Sequence, residues 1–196
     1  SSRLLFAGLL YAGAFLGWRF EYASTSAIVQ QDEIWAHATV MDISRGVHDS
    51  PYLKAHSYLG CPQELVASAF VSRFPRSELA FRIPAMLFIA AGVGFAWLLV
   101  RDKLGGLSAA LVISPLVFAN STLLFYTSTA YPAFAITFFL ATLLPLVSVR
   151  LEQTSFRWKL LLAFCAGIAL YTHRILIFTW IPCIACPVLG PPEHWK

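Results

Sequence analysis

Charged residues are scarce in this chain of 196 residues: Asp, Glu, Lys and Arg make up 12% of it, whereas a soluble domain carries about 25%. Hydrophobic residues make up 58%, and the mean hydropathy is +0.69. This composition excludes an ordinary soluble domain and predicts an integral, multi-pass membrane protein.

A basic patch is also absent from the sequence. The net charge is +4, but the basic residues are scattered between apolar segments and form no stripe. Lipid headgroups and the excess of Lys and Arg in cytoplasmic loops account for them. We therefore expect membrane lipids as partners and no nucleic acid.

The sequence lacks a cysteine framework and a recognisable metal motif. Cys183 and Cys186 have CxxC spacing, but they lie in an apolar segment where small side chains pack together. His37, His48 and His56 are too irregularly spaced for a metal site. We predict no metal ligand, and the sequence leaves open whether a divalent metal is required.

Long runs without charge define the fold class, since residues 104–149 contain no charged residue. A membrane crossing needs about 20 mostly apolar residues. We predict an all-α, single membrane module over residues 1–196 with about six transmembrane helices and one large external loop, residues 19–80. The predicted helices cover about residues 4–18, 82–100, 105–124, 132–149, 160–172 and 175–190. Two alternatives remain open: a signal peptide at the first helix, and one long interrupted helix in place of the last two.

The loop of residues 19–80 contains two stretches that predict amphipathic helices beside the membrane. In the first, apolar residues recur at helical spacing, and Gly46 is expected to end the helix. The second covers residues 63–74 and is too short and too polar to cross a bilayer. The apolar positions are Ala36, Val40, Ile43 and Val47 in the first stretch, and Leu65, Val66, Ala69, Phe70 and Phe74 in the second.

The charges of the loops predict the orientation. With the N-terminus in the cytoplasm, the short basic loops at residues 101–103 and 150–159 lie inside, and the acid-rich loop of residues 19–80 lies outside. If residues 63–74 crossed the membrane, both basic loops would lie outside. The positive-inside rule therefore favours the six-helix arrangement.

Asp32 and Glu33 are adjacent carboxylates at the start of the first amphipathic stretch. The structural interpretation is that Asp32 caps the helix and Glu33 complements its dipole. The functional interpretation is that a carboxylate held at a helix start beside the bilayer is a general base. The two interpretations are compatible.

Three further segments share their order and spacing with a known class of enzymes. They are Ser77–Ala85, which opens the second helix, Arg101–Pro115, and Gly167–His173. With the acidic pair, this pattern resembles the N-terminal transmembrane module of the GT-C class of membrane glycosyltransferases. The most similar branches are the protein O-mannosyltransferases and aminoarabinose transferases.

The resemblance implies a function and a set of site residues. It implies transfer of a sugar from a polyprenyl-phosphate donor to an acceptor on the external face of the bacterial inner membrane. Asp32 would be the catalytic acid or base, and Glu33 would orient its neighbours through Arg82. Arg82, His173 and Arg174 would bind the donor phosphate. The structural alternatives are interfacial snorkelling for Arg82 and a polar surface turn for His173 and Arg174.

A second function of a different class remains open. The chain would then be a catalytically inactive GT-C-like subunit that acts as a structural scaffold with other membrane subunits. The uncharged segment of residues 126–132 favours this alternative, because the related enzymes commonly have a charged residue there. The identity of the sugar and of the acceptor is not predicted.

Overall fold

The computed structural model describes residues 31–54, 56–75, 77–118, 133–150, 156–178, 181 and 183. Helices account for 83% of these residues, so the prediction of a mostly helical chain is confirmed. The predicted first helix (4–18), most of the predicted last helix (175–190) and the segment 126–132 lie outside the described residues.

The described part contains six α-helices, a short hairpin and a 3-10 turn. In chain order they are α1 (Gln31–Ser44), β1 (Tyr52–Leu53), β2 (His56–Gly60), α2 (Pro62–Arg73), α3 (Glu78–Leu104), α4 (Gly106–Phe118), α5 (Phe134–Arg150), α6 (Phe156–Thr172) and the 3-10 turn Arg174–Leu176. The two amphipathic helices predicted in the external loop are therefore α1 and α2. The predicted break after residue 172 is also present.

Helix α1 ends at the glycine that the sequence indicated. Gly46 has a φ of +69°, a conformation that is unfavourable for residues with a Cβ. Its N–H donates to the carbonyl of Ile43, and the N–H of Val47 donates to the carbonyl of Asp42. These two bonds form a Schellman motif, which satisfies carbonyl groups that the helix end leaves free.

Helix α2 turns its polar face inward and its apolar face outward. Gln63, Glu64 and Ser68 are buried together with Ala67 and Val71. In contrast, Leu65, Val66 and Phe74 of the predicted apolar stripe are exposed, Phe74 by 59%. The exposed apolar face suits a helix that lies against lipid. The stripe of α1 differs, because Ala36 and Val40 are buried within the protein.

Helices α3, α4 and α5 form an apolar core, and a second apolar cluster lies between α5 and α6. Gly92 of α3 lies so close to α5 that an added Cβ would be 2.6 Å from the ring of Phe138. Gly105 alone separates α3 from α4, and its φ of +80° reverses the chain. The indole N–H of Trp97 donates to the carbonyl of Gly106 and secures this turn. The buried residues are Ala85, Ile89, Ala90, Val93, Trp97, Ala109, Ile113 and Ala135.

Among the described residues, one helix is long and apolar enough to cross a membrane, and it is α3 over Glu78–Arg101. Two shorter apolar helices cover Phe134–Ser148 and Leu160–Thr172. Helix α3 is longer than the predicted 82–100, because the helix continues through the charged residues at both ends of the apolar run. The described part thus supports one crossing, whereas six were predicted.

The hairpin was not predicted, since its strands are short and lack alternating apolar residues. Strands β1 and β2 pair antiparallel. Thr39 of α1 accepts a hydrogen bond from the backbone N–H of Lys54, which ties the hairpin to α1. On the other side, the hydroxyl of Tyr171 donates to the carbonyl of Pro51. The hairpin therefore connects α1 with the end of α6.

Candidate functional site

The first turn of α1 and the first turns of α3 meet through a buried ion pair. The Nε–H of Arg82 donates to Oε1 of Glu33 over 3.2 Å. Glu33 is 0% exposed and Arg82 is 4% exposed. A charge buried in this way is stable only with a partner, so this pair fixes α1 against the start of α3. The two residues that the resemblance linked are in direct contact.

Asp32 lies beside this pair but in a more accessible position. Helix α1 begins at Gln31, so Asp32 belongs to the first turn and does not precede the helix as a cap. A carboxylate in the first turn is favoured by the partial positive charge of the helix N-terminus. The side chain is half-buried. Of the two adjacent acids, Asp32 is therefore the one that a substrate reaches more easily.

His37 extends the site by one turn of α1. Its Nε2 lies 3.8 Å from Oε1 of Glu33, and its ring stacks on Phe81 with 4.0 Å between centroids. Burial lowers the pKa of His37, an effect that the negative charges of Glu33 and Glu78 oppose and that Arg82 reinforces. The imidazole is therefore predominantly neutral at pH 7.

Glu64 of α2 is a second buried carboxyl group. It is 1% exposed, and within the described part of the chain neither of its carboxyl oxygens has a hydrogen-bond partner. Burial raises the pKa of Glu64 to about 7, and its own backbone N–H opposes this only in part. Glu64 therefore retains its proton over much of the acidic range, and the O–H is then a hydrogen-bond donor.

A crevice between α1, α2 and α3 brings His37 and Glu64 together. Its volume is about 10 Å³, close to the space that one water molecule needs. Its polar lining consists of His37, Gln63 and Glu64, and its apolar lining of Ala36, Val40, Ala67 and Phe81. The side-chain oxygen of Gln63 also accepts the backbone N–H of Ile136 at the start of α5.

The other two predicted phosphate ligands lie elsewhere. His173 follows α6, which packs mainly against α5, the 3-10 turn and β2. Its Nδ1 accepts the backbone N–H of Ile175 over 3.1 Å, and burial lowers its pKa. A ring nitrogen that accepts a hydrogen bond carries no proton, so His173 supplies no positive charge in this arrangement. The side chain of Arg174 lies outside the described residues.

No group of three or more His, Cys, Asp or Glu side chains in the described ranges is arranged to hold a metal ion. Glu33 lies close to His37, and His37 and Glu64 line the same crevice, but the three do not form such a group.

The described part of the chain is mostly helical, and it contains one helix long and apolar enough to cross a membrane, with the candidate site at the start of that helix. Neither a protein-family model, nor a curated protein, nor a solved structure matches the chain. The contacts and charges of the site itself therefore carry the functional argument.

Sequence reasoning missed His37 and Glu64. His37 was considered only as a metal ligand, although its position four residues after Glu33 places it on the same face of α1. Glu64 recurs with Ala67, Ser68 and Val71 at helical spacing, which is a signal for one buried face. The signal was missed because a polar residue in a short helix usually faces solvent.

Proposed function

We propose that this chain is a membrane glycosyltransferase-like protein that transfers a sugar from a polyprenyl-phosphate donor to an acceptor hydroxyl. The observation that supports it best is the pair of adjacent carboxylates on α1. Glu33 is fixed by Arg82 from the membrane-crossing helix, while Asp32 remains accessible on the same turn. One acid is thus buried and held in place, while its neighbour is partly exposed.

In the proposed reaction, Asp32 accepts the proton of the acceptor hydroxyl. The acceptor oxygen forms a bond with the anomeric carbon of the sugar, and the bond between that carbon and the phosphate oxygen breaks. The polyprenyl phosphate leaves with the electron pair. A general base positioned in this way contributes about 10²- to 10⁴-fold to a rate.

The geometry suggests a different role for Arg82 from the one that the resemblance implied. Its guanidinium is buried and bound to Glu33, so direct binding of the donor phosphate requires it to leave this site. Holding Glu33, and with it the first turn of α1, needs no such movement. We assign Arg82 a positioning role in the proposed enzyme.

The proposal includes the membrane arrangement. The six-helix topology, the external active face and the bacterial inner membrane are parts of it that go beyond the single crossing helix described above. The exposed apolar face of α2, which contains Leu65, Val66 and Phe74, supports it. This helix ends shortly before α3 begins at Glu78, as expected for a helix at the membrane surface.

The inactive scaffold remains the second candidate. It is favoured by the closed packing around Glu33 and Arg82, since buried ion pairs also occur in purely structural contacts. The two candidates differ in what they predict for Asp32: a scaffold does not need an accessible carboxylate at this position.

A transfer assay separates these candidates. The full chain is reconstituted in liposomes with undecaprenyl-phosphate mannose or undecaprenyl-phosphate aminoarabinose and a membrane extract as the source of acceptors. The released undecaprenyl phosphate is then measured. We expect Asp32→Asn to reduce the release at least 100-fold and Asp42→Asn, which changes another carboxylate of α1, to leave it unchanged. Equal rates for the two variants, or no release by the unmodified chain, would contradict the proposed activity.

A further inference from the structure

Glu64 and His37 are buried polar groups whose hydrogen bonds are not provided by the described protein. Within the described ranges, neither carboxyl oxygen of Glu64 makes a hydrogen bond, and Nε2 of His37 makes none either. A buried polar atom without a hydrogen bond destabilises the folded chain, because it has lost its bonds to water. Because both residues line the same crevice, one small polar group placed there would satisfy both.

The shape of the crevice limits what can bind. Its volume of about 10 Å³ admits one oxygen-sized group. The side chain of His37 is 21% exposed and that of Glu64 is buried, so His37 is the more accessible of the two. The apolar walls, which include Val40 and Phe81, provide no further hydrogen bonds to a larger polar group.

The charges indicate a neutral ligand with both donor and acceptor capacity. An anion would meet the carboxyl group of Glu64 and be repelled by the charge of Glu33, and a cation would be repelled by that of Arg82, since both charges act on His37 in the crevice wall. A protonated Glu64 offers one O–H donor and one C=O acceptor, and a neutral His37 offers one ring nitrogen. A hydroxyl group both donates and accepts one hydrogen bond, so it matches this set.

The crevice adjoins the candidate active site. His37 Nε2 lies 3.8 Å from Oε1 of Glu33, next to the accessible Asp32 in the sequence. We propose that Glu64 and His37 form a hydroxyl-binding subsite that takes one hydroxyl group of the transferred sugar. This inference rests on the proposed function and assigns to the same site its means of recognising a sugar. A resident water molecule has the same hydrogen-bonding chemistry, and the experiment separates the two.

The test compares the affinities of the purified full chain in nanodiscs for undecaprenyl-phosphate mannose and for undecaprenyl phosphate without a sugar. We expect the mannosylated lipid to bind about 5- to 10-fold more tightly, which is the effect of one or two neutral hydrogen bonds. Glu64→Gln keeps a donor and an acceptor and should retain this preference within about twofold. Glu64→Met has a similar shape without polar groups and should abolish it.

Two further variants control for folding and for general effects. His37→Phe keeps a ring that can stack on Phe81 but removes the ring nitrogens, so it should reduce the preference in the same direction as Glu64→Met. Asp49→Asn, which replaces an exposed carboxylate after the end of α1, should not change it. If Glu64→Met does not fold, His37→Phe and Glu64→Gln still decide the question.

Each result has a defined meaning. If Glu64→Met and His37→Phe keep the full preference for the mannosylated lipid, the crevice binds a resident water only and the subsite is refuted, while the proposed function stands. If the unmodified chain binds neither lipid, the proposed function is refuted.

Methyl mannoside then tests the subsite alone. It should raise the unfolding temperature of the unmodified chain and of Glu64→Gln, but not of Glu64→Met. An equal response of all three, or none, overturns the subsite.

Discussion

The first turns of α3 and the remainder of that helix are packed in opposite ways. In the first turns, Arg82 pairs with Glu33 of α1, and Phe81 lines the crevice that contains Gln63 and Glu64 of α2. From Ala85 onward, the neighbours are apolar residues of α4 and α5. One helix thus belongs to two cores, and the polar core is small and carries the candidate site.

This difference affects stability in a specific way. The apolar core is stabilised by close packing of its side chains, and it tolerates changes of pH because none of its residues titrates. The polar core depends on partners, because each of its charges is costly to bury alone. The polar core is therefore the part of the molecule where a single substitution or a change of pH has the largest specific effect.

The largest expected effect follows from removing one partner of the buried ion pair. Arg82→Ala removes the cation of the pair and leaves the Glu33 carboxylate buried. This change costs about 3–5 kcal/mol in the free energy of unfolding. Unfolding of the chain in mixed micelles measures this loss. The double variant Glu33→Leu/Arg82→Leu should recover most of the loss, and Arg73→Ala, at an exposed arginine of α2, should change little. A double variant no more stable than Arg82→Ala would show that the pairing is not what the polar core depends on.

The matched substitution in the apolar core is Ile89→Ala. Ile89 is 0% exposed, and removal of a buried isoleucine side chain costs about 2–5 kcal/mol through lost burial and the cavity that remains. The same unfolding measurement should give this loss at pH 5 and at pH 8 alike. Leu107→Ala, at a position that is 77% exposed, is the control. A loss that varied with pH would remove the distinction between the two cores.

Much of this arrangement follows from patterns that the sequence shows. Gly46 predicted the end of α1, apolar spacing predicted α2, and the polar residues after Thr172 predicted the end of α6. The contact between Glu33 and Arg82 was expected only from the resemblance to the GT-C class. Residues 49 positions apart have no local signal that brings them together.

The rest of the site was not predictable from the sequence, because the spacing of apolar residues gives no information on which polar residues are buried. In α2 the apolar stripe identified the helix correctly, but the buried face contains Gln63, Glu64 and Ser68. Only the packing of α1 against α2 shows that Glu64 lies inside. The length of α3 was underestimated for a related reason, since Glu78 and Lys103 lie within a helix whose ends are polar.

Dependence on pH should separate the two cores further. The pKa of Glu64 is raised from 4.5 to about 7 in the folded chain. The folded state therefore binds more protons than the unfolded state between these values, and the free energy of unfolding falls as pH rises from 4.5 to 7. Each tenfold change in an ionisation constant is worth about 1.4 kcal/mol, so the fall is on the order of 3 kcal/mol.

The variant Glu64→Gln isolates this contribution. The lowered pKa of His37 acts with the opposite sign, because the unfolded chain takes up a proton at His37 as pH falls and the folded chain resists it. Glu33, Glu78 and Arg82, which also face the imidazole, remain unchanged in the variant. The difference between the unmodified chain and Glu64→Gln should thus decline from pH 4.5 to 7 and be flat above it. A difference independent of pH would show that Glu64 titrates normally.

The smallest effects are expected at two glycines where the backbone lies very close to another helix. One glycine lies in the hairpin and the other in the apolar core. A Cβ added at Gly60, which precedes α2, would lie 2.5 Å from the backbone oxygen of Tyr171. A Cβ added at Gly92 in the apolar core would lie 2.6 Å from the ring of Phe138. A ring can rotate or shift, whereas the backbone of α6 moves only with the helix.

We therefore expect Gly60→Ala to destabilise the chain more than Gly92→Ala, with both losses within the range of about 1–3 kcal/mol that overpacking causes. Gly94→Ala is the control, because a Cβ there meets no atom within 4 Å and alanine favours a helix by about 1 kcal/mol. Since the hairpin joins α6 to the start of α2, Gly60→Ala should also disturb the position of Glu64, and so reduce the dependence of stability on pH. Gly92→Ala should leave that dependence unchanged, because it alters only the apolar core.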